Sequence, residues 1–397
     1  MKTGRERALL ATVVFLLLFA QVLLYPGLPQ LVDALGQPAG LGAGTPLLAA
    51  EFVGVILFVG GWGALSDATG RRIPYIIAGA LAGSLGYLVL VALIDGAPPY
   101  ELVLLTRGLQ GAATGGAFSL AITMLLDLPG GRGRNTGAVG IAIGLGTMLG
   151  APVGGRLYEV DVRLPLIATA VLFVLAGAVA WTVTDRAPTR SRPGLRAPIR
   201  RVRRQPGLLV PYAFACVDRT TAGFFALVGT FFFQSRFGLD PGATGLLLAA
   251  FFTPFALLQY PFGRLSDRVG RTLPIAVGSL AFGLAIVGVA FAPTVTLVAV
   301  VLVAVGAGGA LCAPATLALV GDLAGPEDRA TAVAGYNIVG SLGFLLGVVV
   351  GGGLAERFGY LTAFYVIGGA EILLALALLP ALFALDSPDG SVAPGSD

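Results

Sequence analysis

The chain has 397 residues, of which 56% are hydrophobic and 12% charged; a soluble domain carries roughly 25% charged residues, so the polar surface is too small to cover an ordinary globular protein. Two cysteines (Cys216 and Cys312) and no histidine exclude a disulfide framework, a Cys/His zinc site and imidazole chemistry, so neither a metal nor a cofactor is expected. The formal charge of +4 points to nucleic acid only until the arginines are placed, and the composition is that of an integral membrane protein.

A helix crosses a hydrocarbon core of about 30 Å with about 20 apolar residues. Twelve such runs follow in chain order, at 8–29, 45–64, 73–94, 100–126, 136–157, 164–184, 208–233, 243–263, 273–292, 294–319, 331–353 and 361–384. The first follows Lys2, Arg5 and Arg7 in the manner of a signal peptide. It lacks a clear small-x-small cleavage site and is followed by further spans, so it reads as a retained span one. The predicted organisation is an N-terminal six-helix bundle at 1–184, a basic linker at 185–207, a C-terminal six-helix bundle at 208–385 and a tail at 386–397.

Lysine and arginine set the orientation. Nineteen of the 25 fall on one side, among them Lys2, Arg5, Arg7 and the eight arginines of 186–204, whereas the other side holds Arg156, Arg163, Arg236 and Arg357. This bias places both termini in the cytoplasm of a multi-pass cell-membrane protein.

Residues 63–74 (GALSDATGRRIP) and 263–274 (GRLSDRVGRTLP) match at seven positions with a constant offset of 200. Each copy falls between the second and third spans of its half, so the protein is two parallel six-span repeats. Gly63, Asp67, Gly70, Arg71 and Arg72 form one copy; Gly263, Asp267, Arg268, Gly270 and Arg271 form the other. Glycine allows close helix approach, and an aspartate can accept bonds from a neighbouring helix N-terminus. The arginines supply the opposite charge. The pattern reads as a conformational latch in the cytoplasmic turn, or as ordinary turn residues.

Gly63–Arg72 fits the pattern G-x-L-x-D-x-x-G-R followed by R or K, with a second copy at Gly263–Arg271. On span four, Arg107, Gln110 and Gly111, followed by Ala112 and Ala113, fit R-x-x-Q-G. On span five, Gly146, Gly150, Pro152, Gly154 and Gly155 are similar to the glycine-proline motif of antiporters. With these motifs the chain resembles the major facilitator superfamily, in particular its drug/proton antiporter type. The resemblance implies an all-α integral membrane fold with twelve transmembrane helices in two parallel pseudo-twofold six-helix halves. It implies that spans one, four, seven and ten line a central cavity, and that the partners are a small-molecule substrate and protons. The chain departs from the pattern at Ala68, which stands where the second copy has Arg268 and the family has a base, and in GAPVGG, whose proline falls one place late. Span eleven keeps Gly343, Gly347, Gly351, Gly352 and Gly353 without a proline. The span-five motif reads either as an antiporter hinge or as a small-residue packing seam.

Ionisable side chains at the bilayer centre cost about 2.5–3.5 kcal/mol on insertion scales and face a bundle interior or water. Glu51, Arg107, Asp218, Arg219 and Glu371 lie within spans, and without histidine a proton carried by a side chain must ride on a carboxylate. Asp218 and Arg219 lie near the middle of span seven. Neighbours on a helix diverge by about 100°, so the expectation is Asp218 toward the cavity with Arg219 paired elsewhere, or a structural ion pair between the halves. Glu51 and Arg107 sit at similar depth and are expected to pair, as a protonation switch or as a static bridge. Glu371, in mid-span twelve, either turns inward and pairs or marks a misplaced boundary. Gln21 and Tyr25 on span one, Gln110 and Thr114 on span four and Thr316 on span ten are the sparse polar groups on the cavity helices. Phe224, Phe225, Phe231, Phe232 and Phe233 read as lipid-facing or interfacial packing, with a ligand cage as the alternative. Few hydrogen-bonding side chains favour an apolar or amphipathic substrate over a sugar.

The linker carries Pro188, Pro193, Pro198 and Pro206, which leave room only for a short helix at 195–205, and its arginines at 186–204 would attract anionic lipid at about 1 kcal/mol each. Nucleic-acid binding is not expected. There is no phosphate-binding loop or nucleophile constellation, so the chain reads as no enzyme and no ATP-driven pump. The expected function is proton-coupled efflux of a small apolar or amphipathic compound by alternating access, by a monomer. The alternatives are a symporter or facilitator importing a metabolite, or a non-transporting sensor or lipid scrambler.

Overall fold

The computed structural model describes residues 2–96, 98–129, 131–185 and 201–386. Among them there is no strand. Spans one to six are Lys2–Val22, Leu41–Thr69, Ile73–Leu93, Tyr100–Leu126, Arg132–Val160 and Arg163–Trp181. Span seven runs from Leu209 to Phe237 and is interrupted; spans eight and nine are Pro241–Val269 and Thr272–Phe291. Spans ten and eleven are Val295–Gly325 and Thr331–Phe358, and span twelve is Tyr360–Asp386. An even number of spans returns the chain to the face from which it started. That face, at which span one begins, span six ends and span seven begins, is here the terminal face, and the opposite one the distal face.

Several boundaries differ from the apolar runs. Span two starts at Leu41 and continues to Thr69, so Gly63 to Thr69 of the repeated motif form the last turns of a helix rather than a loop. Only the following residues turn, and both copies do so on a glycine with positive φ, Gly70 at 64° and Gly270 at 86°, a conformation that a Cβ disfavours. Polar residues extend these helices because a helix emerging from the membrane keeps its own backbone hydrogen bonds in water. Span one ends early. Pro26 lacks the N–H of a continuing helix, and a 3₁₀ turn, Tyr25–Gly27, leads into a short helix, Leu28–Ala34. Span seven is Leu209–Phe224, a π-helical turn Phe225–Gly229, and Thr230–Phe237.

Small residues determine how closely the spans approach. Gly146, Gly150 and Gly154 recur every four residues and lay one face of span five on span one, where a Cβ at Gly154 would overlap the backbone of Leu23. A second face carries Ala151 and Gly155 against Gly245 and Pro241 of span eight. Both seams rest on the span-five motif, one inside the first half and one between the halves. Span two packs on span eleven in the second contact between halves, where the rings of Phe52 and Phe344 stack at 4.1 Å. Toward the distal face Gln30 donates to Gln234 at 2.9 Å, and Gln234 donates to the Pro26 carbonyl at 2.7 Å. Both of these side-chain bonds between the halves lie at the distal face. The ion pairs at the terminal face, Arg72–Asp127 at 2.6 Å and Arg271–Asp322 at 2.9 Å, each stay within one half.

Replacing Gly154 with leucine forces side-chain atoms into the span-one backbone, at an expected cost of about 1–3 kcal/mol. A Cβ at Gly353 meets nothing within 4 Å, so Gly353→Ala should be neutral. Thermal unfolding in detergent should show a lowered Tm for the first and not for the second. Equal behaviour would mean that the seam does not limit packing.

Candidate functional site

Two buried polar clusters occupy the two halves, and they are built differently. In the first, Glu51 of span two and Arg107 of span four are each 1% exposed and form an ion pair through Arg107 Nη2 and Glu51 Oε2. Gln21 Nε2 of span one donates to the other Glu51 oxygen at 3.1 Å. Arg107 Nη1 donates to Gln110 Oε1 at 2.5 Å, and Gln110 Nε2 donates to Thr114 Oγ1 at 3.3 Å. The spacings 107, 110 and 114 put these three residues on one helical face. Spans two and four come close enough to pair because Gly54 and Gly111 leave no Cβ between them: one at Gly111 would overlap the Glu51 carbonyl. The Arg107 guanidinium also lies 5.8 Å from the centre of the Tyr87 ring.

Tyr25 is buried in the turn after span one, within electrostatic reach of Glu51 and Arg107. Tyr87 and Tyr158 are buried near the same arginine, and the sequence reading missed both. A single tyrosine in an apolar span looks like an interfacial residue, and only the register of spans three and five turns these inward. The Tyr158 ring fills the space that Gly27 leaves open.

The second cluster has no such pairing. Asp218 of span seven is 6% exposed, while Arg219 is exposed and lies against Gly340 of span eleven, 3.2 Å from where a Cβ there would stand. The two turn apart and form no ion pair among the described residues, so the bridge between halves is not what the structure holds. Cys312 of span ten is buried within electrostatic reach of Asp218, and its sulfur lies 3.5 Å from Thr316 Oγ1. Glu371 does turn inward. It is fully buried, and the hydroxyl of Ser279 on span nine donates to its Oε1.

The lipid-facing placement expected for the aromatic run is corrected. Phe224, Phe225, Phe231, Phe232 and Phe233 are all buried, and Phe224, Phe225 and Phe232 pack in edge contacts around Phe364 of span twelve. Composition cannot separate lipid from a neighbouring apolar helix, and here spans eight and twelve supply the partner.

At the terminal face the repeated motif makes ties within each half. Arg72 is buried; its side chain pairs with Asp127 at the end of span four, and its backbone N–H donates to Asp185 at 3.0 Å. The carboxylate of Asp185 thus sits at the start of span three, where the helix dipole favours negative charge. In the second half Arg271 pairs with Asp267 at 2.6 Å and with Asp322 at 2.9 Å. Partial burial opposes the charge of Arg271, but these two carboxylates outweigh it and raise its pKa. Asp267 accordingly bonds an arginine, not the neighbouring helix N-terminus. Arg71 and Arg268 line shallow surface hollows. The anionic-lipid reading for 186–204 falls mostly outside the described residues; within them Arg201 pairs with Asp328 at 2.6 Å and donates to the Ala324 carbonyl at 2.9 Å.

The family model of the Major Facilitator Superfamily matches residues 10–240 and again 208–397. The chain belongs to the major facilitator superfamily. Among its relatives, the class G tetracycline resistance protein of Vibrio anguillarum is 28% identical over 308 residues, covering 72% of this chain and 74% of that one. The synaptic vesicular amine transporter of Bos taurus is 23% identical over 298 residues, covering 73% of this chain, which therefore spans only 56% of the relative's length. The solved structure of the nucleoside transporter NupG superposes with a TM-score of 0.79 at 14% identity, over 95% of this chain and 100% of that one.

In this member of the superfamily the two halves handle buried charge in opposite ways. Removing one partner of a buried ion pair typically costs 3–5 kcal/mol because the other charge is stranded. Arg107→Ala should therefore lower the Tm sharply, whereas Glu51→Leu combined with Arg107→Met should recover most of the loss in the same thermal unfolding assay. A double variant as unstable as the single one would show that the pair is not the cause.

Proposed function

We propose that this chain exchanges protons for a small apolar or amphipathic compound and exports it by alternating access, with the terminal face cytoplasmic. The observation that carries the reading is the contrast between its buried carboxylates. Glu51 is already matched by Arg107, which makes it a brace, whereas Asp218 is buried without an ion pair among the described residues, within the first helical segment of span seven, Leu209–Phe224. A carboxyl in that position is the group best suited to gain and lose a proton as access alternates. In the superfamily resemblance span seven lines the central path, and the paucity of convergent polar side chains favours a substrate with few hydroxyls. The relative named as a tetracycline resistance protein supports export of a drug-like compound.

The arginine bias supports a cytoplasmic terminal face. With that orientation, the bonds from Gln30 and Gln234 close the outer side, which fits an inward-facing arrangement. The repeated motif, whose Arg72 and Arg271 pair within their own halves here, is then the surface that meets the partner half when the inner side closes. Both termini, the basic linker at 185–207 and its attraction to anionic lipid belong to this orientation, as does placement of a monomer in the cell membrane.

The nucleoside transporter with the same fold supports a second reading, uptake or facilitation of a polar metabolite. Proteoliposomes separate the two. With an imposed pH gradient, substrate should move against it in exchange for protons, and Asp218→Asn should abolish the coupled flux while leaving substrate binding measurable. Transport indifferent to the gradient, or full coupling in the variant, would remove the antiport reading. Removing the Gln234 amide deletes two hydrogen bonds worth about 0.5–1.5 kcal/mol each. Gln234→Ala should therefore raise labelling of a cysteine placed in the outer vestibule about fivefold or more, and unchanged labelling would show that these bonds do not hold the outer side shut.

A further inference from the structure

The second half contains a carboxyl for which the exchange cycle above has no task. Glu371 lies in the middle of span twelve, a helix outside the set assigned to the central path, and has no exposed surface. Its neighbour on span nine is Ser279, whose hydroxyl donates to Oε1. One turn further, Gly283 and Gly368 bring the two helices into backbone contact: a Cβ at either would stand 2.8 Å from the carbonyl oxygen of the other. Oε2 has no hydrogen-bond partner among the described residues, which leaves Ser279 as the only partner that either oxygen has there.

An ionised carboxylate with one hydroxyl donor and no cation is among the costliest groups to enclose in an apolar interior, and such a group takes up a proton instead. The bonding pattern fits the neutral acid, with Oε1 as the carbonyl oxygen that accepts from Ser279 and Oε2 as the oxygen that carries the proton. The titratable groups facing Glu371 from the elements packed around it are Asp218 on span seven and Cys312 on span ten, both within electrostatic reach; span nine presents only the neutral Ser279. Arg219, the one nearby cation on span seven, is exposed and compensates neither carboxyl by an ion pair.

We propose that Glu371 is a second proton-binding site, enclosed between spans nine and twelve, and that the charge on it and the charge on Asp218 are each felt by the other. Two carboxyls coupled in this way release their protons in steps that belong to the pair. The site requires neither the direction of transport nor the class of substrate to be as read above.

Infrared difference spectra of the full-length protein in liposomes, recorded across a pH series in light and heavy water without substrate or gradient, test it directly. Two protonated-carboxyl bands are expected. Glu371→Gln should lose one and Asp218→Asn the other, and the carboxyl that ionises second in the wild type should ionise at lower pH once its partner is a neutral amide, because it no longer meets the partner's charge. A Glu371→Gln spectrum identical to that of the wild type, a Glu371 band that does not titrate, or surviving bands that both stay in place would overturn the proposal. Should Glu371→Gln fail to fold, Ser279→Ala removes the hydroxyl donor and leaves the carboxyl, so the Glu371 band must change frequency; an unmoved band also overturns it. A negative transport assay leaves these spectra unaffected, so the two readings fail separately.

Discussion

Taking a carboxylate out of water costs several kcal/mol even after the protein relaxes, and the cost is met either by a cation or by a proton. Glu51 has the cation; for Asp218 and Glu371 the proton is the reading proposed above. Glu51 lies against Arg107, with Gln21 and Gln110 adding a hydrogen bond to each, so three spans of the first half are tied around one neutral pair. Asp218 and Glu371 in the second half have no such cation among the described residues. The first half is thereby braced, and the second keeps the carboxyls proposed above to change charge.

That division depends on how closely the helices approach. Hydrocarbon provides little driving force for helix association, so packing rests on small residues that bring backbones together. Gly54 and Gly111 put Glu51 within reach of Arg107, and Gly283 and Gly368 put Glu371 beside Ser279. The same device, repeated every four residues along span five, sets span one on one face and span eight on another. Span five therefore belongs to the packing of its own half and to the joint between halves at once, which gives the glycine-proline motif a mechanical position as well as a structural one.

Span seven breaks the symmetry between the halves. Its π-helical turn at Phe225–Gly229 falls where the aromatic rings of spans eight and twelve close around it, and beyond it the shorter segment reaches Gln234 at the distal face. π-helical turns within helices are frequent at functional positions. Here one separates the segment bearing Asp218 from the segment that bonds the other half, so the carboxyl and the distal closure sit on opposite sides of a local irregularity.

Much of this was legible in the residues. Apolar runs of membrane-crossing length, the placement of arginine and the motif repeated at an offset of 200 state twelve spans, two halves and one shared face, because hydrophobic length and backbone satisfaction leave a membrane chain few alternatives. The pairing of Glu51 with Arg107 was also within reach, since depth along a span follows from counting residues. Other features were not. The inward turn of Tyr87, Tyr158 and the phenylalanines of span seven, the separation of Asp218 from Arg219 and the neighbour of Glu371 depend on the rotation of each helix about its axis, which an almost uniformly apolar span does not encode. Composition and charge placement alone dictated a two-fold helical membrane protein; only the packed bundle decided which buried carboxylate meets a cation and which does not, because that depends on contacts between helices far apart in the chain.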